Sequence, residues 1–541
     1  MLIFNKKILR EMKKYIYNLF LMLIVVLPIV GCDSYLEEEL HDTYGEGNFP
    51  TEATVETILN TAHSDIGKAV LNANWMHWAV GFPTPSLHYR YRQVHQRNNL
   101  SSWTWNTTRT DPAYFDILEF MWDAVRSSNE IIDKVPDIEM KDTKRQAEII
   151  AEAKFIRAMC YFYAVRLWGG MPIIDKPQGL SDDLYPKRAT TTETYAFLTK
   201  DLKEAIVDLP TRSEYISRGI PLGHITKGAA KGTLAKAYIT MAGKPLEDNS
   251  NLTEARTLLE EVINSGEYSL VGVGASNPYE LLFDWQNDNN EEFLYAIQKE
   301  GPSQNYRGIF GYFTPKHATS GIWTSGEGDK FSKGAGLDGV PPEFVDWYAS
   351  HDSGPRFQWS IVTEYVLQED INGFNAGEIL RYDAGPDAQG HVGKWRARGA
   401  ELTGNFNNPN NFPVLRYADI LLLHSEVTNE LDTPDYSGIN AVRERAGLPL
   451  LGGLSKEDFR DAVFLERDLE LTFEHNMLFD MRRRGLEYTK SKLVGFYNPN
   501  QNNYPNSFDI QDIEPHRLLF PYPQRDLESN PNLEQNPGYP R

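Results

Sequence analysis

Three glutamates are the residues whose spacing could perform acid–base chemistry. Glu466, Glu470 and Glu474 recur at every fourth position within Lys456 to Arg484, so a helix would place them on one face. A pair of carboxylates is the machinery of a glycosidase, in which one protonates the leaving oxygen and the other attacks or activates water. Carboxylates stacked on a helix beside arginines more commonly form an ion-pair network. We predict the network, not a catalytic pair.

Other catalytic signatures are missing from the sequence. The chain contains no HExxH, GxSxG or P-loop motif. The stretch FDWQNDNNEE, residues 283–292, offers oxygen ligands for Ca²⁺ but lacks the spacing of an EF-hand. Cys160 is placed on the apolar face of a predicted helix, where burial would leave its thiol inert. The sequence therefore predicts a protein that is not an enzyme, with no cofactor and no metal site.

Aromatic side chains concentrate in two segments that lack helical periodicity, about 71–110 and about 277–411. An exposed aromatic ring can stack on the apolar face of a sugar while neighbouring polar groups bind the hydroxyls. The alternative is that these rings fill small cores beneath long loops. On the first interpretation, the predicted ligand-binding residues are Trp75, Trp78, Tyr89, Arg92, Trp103, Tyr306, Tyr312 and Trp323.

The densest basic stretch of the chain after its N-terminal segment lies within the first of these regions. Residues 88–97, HYRYRQVHQR, interleave arginines with tyrosines and histidines. The planar guanidinium matches carboxylate and sulfate, so the stretch would suit an acidic glycan or a peptide carboxylate as well as a neutral sugar. The arginines could equally pair with the protein's own surplus of acidic side chains. Both alternatives remain open.

The sequence predicts one long helix around which the rest of the chain is organised. Within residues 146–174, apolar residues recur at alternating steps of four and three, and Gly169 followed by Gly170 and Pro172 ends the pattern. Further helices are predicted from Thr51 to about Val70, Ala113 to Val135, Thr191 to Leu209, and 224–243 with 251–271. The last two, and a second pair beginning at Tyr417, resemble tetratricopeptide hairpins. We predict a mainly α fold with a few short strands.

The N-terminus predicts export. Residues 1–31 combine a basic start with an apolar run and a small residue before Cys32, which is typical of a lipoprotein signal peptide, with translation starting at Met1 or Met12. Cys32 is the predicted lipidation site, residues 32–48 an acidic tether, and 49–541 a single body. The formal net charge of −21 argues against nucleic acid as a partner.

Four blocks carry a family resemblance. They are AEAKFIRAMCYFYAVRLWGGMPII, NFPVLRYADILLLHSEVTNE with INAVRERAGLP, ERDLELTFEHNMLFDMRRRG, and PYPQRDLESNPNLEQNPGY. In this order they resemble the SusD/RagB family of Bacteroidetes surface lipoproteins. The resemblance implies helical hairpin elements at about 113–271 and 412–484, and irregular ligand-binding regions at about 71–110 and 277–411.

The resemblance also implies a function. A member of this family is a surface-exposed, lipid-anchored lipoprotein of the cell outer membrane. It captures an oligosaccharide and delivers it to a SusC-like TonB-dependent transporter. The alternatives are a peptide-binding subunit of RagB type, or a structural lid with little ligand affinity of its own. By position, Trp75 and Trp78 look similar to the first stacking residues of the starch-binding member, and Tyr306 with Trp323 to the second set.

Overall fold

A computed structural model describes the greater part of the chain. The described residues are 51–71, 75–89, 98–105, 113–179, 184–299, 322–323, 329–330, 338–366, 370, 375–383, 389–395, 409–497 and 512–540. The chain divides into two compact units, Met1–Ala53 and Thr54–Arg541, and the architecture below is that of the second. The signal peptide, Cys32 and the tether predicted from the sequence lie outside the described residues.

Helices dominate the described part of the chain, as predicted. In the first half they are α1 Glu52–Leu71, α2 Trp75–Gly81, α3 Asn98–Ser101, α4 Ala113–Lys134, α5 Thr143–Trp168, α6 Thr191–Asp208, α7 Arg212–Arg218, α8 Lys227–Ala242, α9 Leu252–Ile263 and α10 Pro278–Leu282. In the second half they are α11 Pro342–His351, α12 Pro355–Ser360, α13 Tyr417–Glu430, α14 Ser437–Ala446, α15 Lys456–Glu470, α16 Met477–Arg484, α17 Leu486–Tyr497 and α18 Gln524–Ser529.

The described strands are short and pair in twos, always antiparallel. They are β1 His88–Tyr89, β2 Phe293–Ile297, β3 Ile322–Trp323, β4 Asp329–Lys330, β5 Asp338–Gly339, β6 Ile361–Val362, β7 Glu364–Val366, β8 Ile379–Arg381, β9 His391–Val392 and β10 Phe412–Arg416. The pairs are β1 with β5, β2 with β10, β3 with β4, β6 with β9 and β7 with β8.

The long helix predicted at the centre of the chain is α5. Its first turn is capped by the Asp142 carboxylate, which accepts a hydrogen bond from the Arg145 backbone N–H at 2.9 Å. It ends at Gly169, whose φ of 82° favours glycine. Both α4 and α6 pack against it, and Cys160 is buried there as predicted. Burial raises the pKa of the Cys160 thiol, so the thiolate is suppressed.

Two groups of helices pack together in chain order. Helix α6 packs on α8 and α8 on α9, and α13 packs on both α14 and α15, as in repeat proteins built from helical hairpins. The contact of α9 with α13 joins the two groups across distant parts of the chain. Small residues permit close approach, since a Cβ added at Gly438 of α14 would lie 2.5 Å from the Leu421 carbonyl oxygen of α13.

Several predicted elements differ from the structure. The second irregular region contains α10, α11 and α12, and the helix predicted over 251–271 ends at Ile263. The first irregular region, expected to lack structure from Leu71 to Thr110, contains α2 and α3. The helix expected from Lys456 to Arg484 is broken between α15 and α16, where Phe473 and His475 adopt φ values of 66° and 62°. Left-handed backbone at residues with bulky side chains requires support from the surrounding structure. Buried ion pairs around Glu470 and Glu474 supply that support.

Candidate functional site

A two-stranded sheet joins the two aromatic regions that the sequence predicts to bind ligand. Strand β1 belongs to the first region and β5 to the second, and Tyr89 pairs with Asp338 in their antiparallel register. The indole Nε1 of Trp78 donates a hydrogen bond to Asp338 Oδ2 at 2.6 Å. Helix α2 is therefore tied to Asp338 through a buried carboxylate, and β1 and β5 join the described parts of the two regions at this point.

Aromatic rings pack beneath this sheet. Trp78 stacks on Phe82, with ring centroids 6.2 Å apart, and Phe82 contacts Tyr89. Trp103 donates its indole N–H to the Pro83 carbonyl at 3.1 Å and packs on Trp105. All of these rings belong to the main hydrophobic core.

The burial of three predicted site residues corrects one expectation. Trp78, Tyr89 and Trp103 are 2%, 5% and 1% exposed, where rings open to a ligand were expected. Indole N–H groups need a partner when they are buried, and here Asp338 and Pro83 supply one for each tryptophan. These rings are packed inside the protein core. Their assignment to ligand binding stays a prediction.

The other predicted site residues fall at the edges of the described structure. Trp75 begins α2 and Trp323 ends β3, but their side chains lie outside the described part. Arg92, Tyr306 and Tyr312 lie outside the described residues altogether. Arg92 belongs to the segment 90–97, which follows β1 directly in the chain, and residues 331–337 lead directly into β5. Both segments therefore connect to the same small sheet.

The glutamates of α15 form a buried ion-pair network, as predicted. Glu470 contacts Arg445 at 2.7 Å, Arg416 at 3.0 Å and Arg356 at 3.1 Å. Burial alone would raise the pKa of Glu470, but the guanidiniums of Arg445, Arg416 and Arg356 outweigh it and hold that pKa below its ordinary range. A glycosidase acid needs a raised pKa, so Glu470 is unsuited to that role.

The network extends on both sides of Glu470. Its other contacts are Glu466 with Arg356 and Arg443, Glu474 with Arg416 and Lys394, Glu292 with Arg416 and Arg445, and Asp352 with Arg356. These contacts join five cationic and five anionic side chains, so the charges of this set balance. The Lys394 ammonium also donates to the carbonyls of Glu470 and Thr472 in the break between α15 and α16. The network thereby holds the backbone of that break.

The acidic stretch 283–292 uses its oxygens within the protein. Asp284 accepts from the Gln286 backbone N–H at 3.0 Å, and Asp288 accepts from the Asn411 backbone N–H at 2.9 Å. Glu292 belongs to the buried network. These contacts give the stretch a structural role.

Comparisons with known proteins agree with this architecture. Residues 325–539 match the model of the SusD family, and residues 35–239 match the model described as starch-binding associating with outer membrane. The two matches together extend over most of the chain. It belongs to the SusD/RagB family.

Individual relatives of the SusD family cover most of the sequence. SusD-like protein P25 of Formosa agariphila is 26% identical over 465 residues, 78% of this chain and 79% of its own. The starch-binding protein SusD of Bacteroides thetaiotaomicron is 27% identical over 495 residues, 81% of this chain and 80% of its own. The crystal structure of a SusD superfamily protein from Parabacteroides distasonis superposes with a TM-score of 0.73 at 24% identity, covering 90% of this chain and 99% of that one. This superposition confirms the mainly α, SusD-like fold.

Two sets of residues escape sequence reasoning. Asp338 gains its role only through pairing with Trp78, 260 positions away. His63, Glu152 and His224 converge from three separate segments, with ligand atoms all within 4.8 Å of one another. No local spacing motif links such distant positions, so only the fold reveals them.

Among the described residues, none of the helices combines the length and apolar character needed to cross a bilayer.

Proposed function

We propose that this SusD-family protein binds a glycan at the bacterial surface and passes it to a SusC-like TonB-dependent transporter. One observation carries the proposal: the β1–β5 sheet joins the two aromatic regions and fixes α2 against Asp338. A binding surface built from distant loops needs such a rigid support, because binding groups must be held in place before the ligand arrives. The match to a family model named for starch binding supports a carbohydrate ligand.

In this proposal the predicted site residues have two roles, direct contact with the ligand and support of the site. Trp75, Arg92, Tyr306, Tyr312 and Trp323 make direct contact with the ligand. Trp78, Tyr89 and Trp103 support the site from inside the protein, because all three are buried and the two tryptophans donate hydrogen bonds to Asp338 and Pro83. A sugar face stacked on an aromatic ring contributes through apolar contact, and an arginine fork adds selectivity for an acidic group.

Calorimetric titration of the purified protein with a panel of neutral and acidic oligosaccharides and of peptides tests the proposal. We expect saturable binding of a glycan without turnover, weakened in Trp75→Ala and Trp323→Ala. Trp122→Ala is the matched control, because Trp122 lies on α4, outside both aromatic regions, and packs on Tyr161. Binding of peptides alone would favour the RagB-type alternative. Sustained product formation, or no affinity for any member of the panel while transport still depends on the protein, would contradict the proposal.

Salt distinguishes the two ligand chemistries. If Arg92 binds an anionic group of the glycan, the affinity of the protein for the glycan should fall as the Debye length shrinks from about 10 Å at 0.1 M to about 3 Å at 1 M salt. Stacking on a neutral sugar should hardly change. Arg92→Ala should then weaken an acidic glycan far more than a neutral one. If Arg92→Ala changes the affinity for the acidic and the neutral glycan equally, Arg92 forms an ion pair within the protein and does not bind the ligand.

A further inference from the structure

Two histidines and a glutamate meet on the side of helix α5. His63 lies on α1, Glu152 on α5, and His224 in the turn before α8. His63 Nε2 lies 3.1 Å from Glu152 Oε2, and His224 Nδ1 lies 3.0 Å from the same oxygen. Two ring nitrogens from different elements thus converge on one carboxylate oxygen. None of these three residues is among the predicted ligand-binding residues.

The geometry points to a Zn²⁺ site, and we propose that His63, Glu152 and His224 bind this ion with His₂Glu ligation. Zinc binds imidazole nitrogen and carboxylate oxygen at about 2.0–2.2 Å in a tetrahedral arrangement, which separates neighbouring ligand atoms by roughly 3.3 Å. The two nitrogen–oxygen separations observed, 3.1 and 3.0 Å, need to widen by only a few tenths of an ångström. All three ligand atoms already lie within 4.8 Å of one another.

The second oxygen of Glu152 is held by a different partner. Arg145 Nη1 donates to Glu152 Oε1 at 2.9 Å, while its Nε and Nη2 bind the Glu56 carboxylate at 2.7 and 2.9 Å. Arg145 therefore orients the carboxylate through Oε1, while His63 Nε2 and His224 Nδ1 both approach Oε2. His224 Nδ1 also lies 3.1 Å from Oε1, and the Ile225 backbone N–H donates to Oε2 at 3.4 Å. A polar group that fixes the orientation of a metal ligand in this way is typical of zinc sites.

The charges around the cluster favour a cation. Arg145 is matched by Glu56, and Arg218 binds Glu148 at 2.6 and 3.1 Å. With neutral imidazoles, the three glutamates and two arginines of this group leave a surplus of one negative charge.

The exposure of the cluster allows an ion to enter. The Glu152 side chain is fully buried, whereas the side chains of His63 and His224 are 21% and 19% exposed. An ion arriving from solvent would meet the two imidazoles first, and a water molecule could complete a fourth position on that side. Once bound, the ion would join α1 to α5 and to the turn before α8. Its role would be to fasten these three elements together.

Titration of the full chain with Zn²⁺ tests this site. The protein is purified in detergent without a histidine tag, treated with EDTA and dialysed, then followed by calorimetry with Zn²⁺ and by visible absorption with Co²⁺. We expect one saturable site per chain, a tetrahedral Co²⁺ spectrum, and a rise in the unfolding temperature on adding Zn²⁺ that EDTA reverses. Absence of saturable binding to the wild-type chain would overturn the proposal.

Variants locate the ion. His63→Phe and His224→Phe keep an aromatic ring at each position but remove the ligand nitrogen, and each should weaken Zn²⁺ binding by about tenfold or more. His351→Phe is the control, because His351 is exposed on α11 and should leave binding unchanged. If both ligand variants bind Zn²⁺ as tightly as the wild type, the proposal is wrong.

A measurement on the wild type does not depend on the folding of any variant. X-ray absorption at the zinc edge should report nitrogen and oxygen ligands that include imidazole. A sulfur ligand, or a purely aqueous shell, would contradict the assignment.

Discussion

A single arginine at the centre of the buried network holds three acidic side chains together. Arg416 contacts Glu292 at 2.5 Å, Glu470 at 3.0 Å and Glu474 at 2.7 Å, and its side chain is fully buried. A charge in this environment is tolerated only because its partners are present, and removing one partner leaves the others desolvated and uncompensated. The stability of the fold therefore depends on the complete set.

Arg416→Met should lower the free energy of unfolding by about 3–5 kcal/mol, because it leaves buried carboxylates without their cation. Urea unfolding followed by circular dichroism measures the change. Arg381→Met is the matched control, since the Arg381 contact with Asp383 lies at the surface and should contribute little. Similar stabilities for the two variants would contradict a stabilising role for the network.

The depressed pKa values of two buried carboxylates predict how stability changes in acid. Burial alone would raise the pKa of both Asp419 and Glu470. Lys236 and Arg467 outweigh burial at Asp419 and lower its pKa. Arg445, Arg416 and Arg356 do the same for Glu470. The unfolded chain, with pKa values of about 3.9 and 4.3, then binds protons more readily than the folded protein. Their stabilisation is complete above a pH of about 5.5 and is lost progressively below it. Denaturation across pH 3–7 should give unfolding free energies that fall in acid, and a flat profile would contradict the depressed pKa values.

At the scale of secondary-structure elements, the close contact between α13 and α14 depends on a glycine. A Cβ at Gly438 would lie 2.5 Å from the Leu421 carbonyl oxygen, which is too close for any real contact. Gly438→Ala should therefore push the two helices apart and destabilise the protein by about 1–3 kcal/mol. Gly452→Ala is the control, because nothing lies within 4 Å of its added Cβ. Thermal unfolding compares the two, and equal midpoints would show that the helices can separate freely.

Helix α5 could be predicted from the sequence, whereas the break between α15 and α16 could not. Helix α5 is predictable from its apolar spacing and the glycine that ends it, because both signals are local. The break at Phe473 and His475 carries neither glycine nor proline, and the contacts that hold it come from Lys394 and Arg416, far along the chain. The ion-pair prediction for α15 is correct, but its partners cannot be named without the fold. Trp78 and Trp103 look exposed in the sequence because a polar-rich loop surrounds them, whereas in space they are covered.

At the scale of the whole molecule, the proposed location at the cell surface rests on the N-terminus. Cys32→Ala should release the protein from membranes into the soluble fraction, because the predicted lipid would no longer be attached. Fractionation followed by immunoblotting measures the change, and intact-cell protease access tests the outward orientation. Cys160→Ala is the control, since Cys160 is buried in the core. Retention of the Cys32→Ala protein on membranes would contradict lipid anchoring at this residue.

The proposed partner is testable at the same scale. Extraction of outer membranes in gentle detergent should yield this protein together with a SusC-like barrel. In the proposed function, the packed helices from α6 to α15 supply the surface for such an assembly. Isolation of the protein alone, under growth conditions that induce both, would argue against the partnership.

The C-terminal residues pack against the first third of the chain, and this has a consequence for biogenesis. Trp105 donates its indole N–H to the Tyr539 hydroxyl at 2.8 Å, and the Asn536 side-chain amide donates to the Trp168 carbonyl at 2.9 Å. The end of α5 therefore remains uncovered until residues 536–539 have been synthesised. Closing contacts separated by more than four hundred positions is slow compared with local helix formation. A chain that stopped before residue 536 would present tryptophans to chaperones and proteases, so we expect it to be degraded instead of yielding a shortened, active protein.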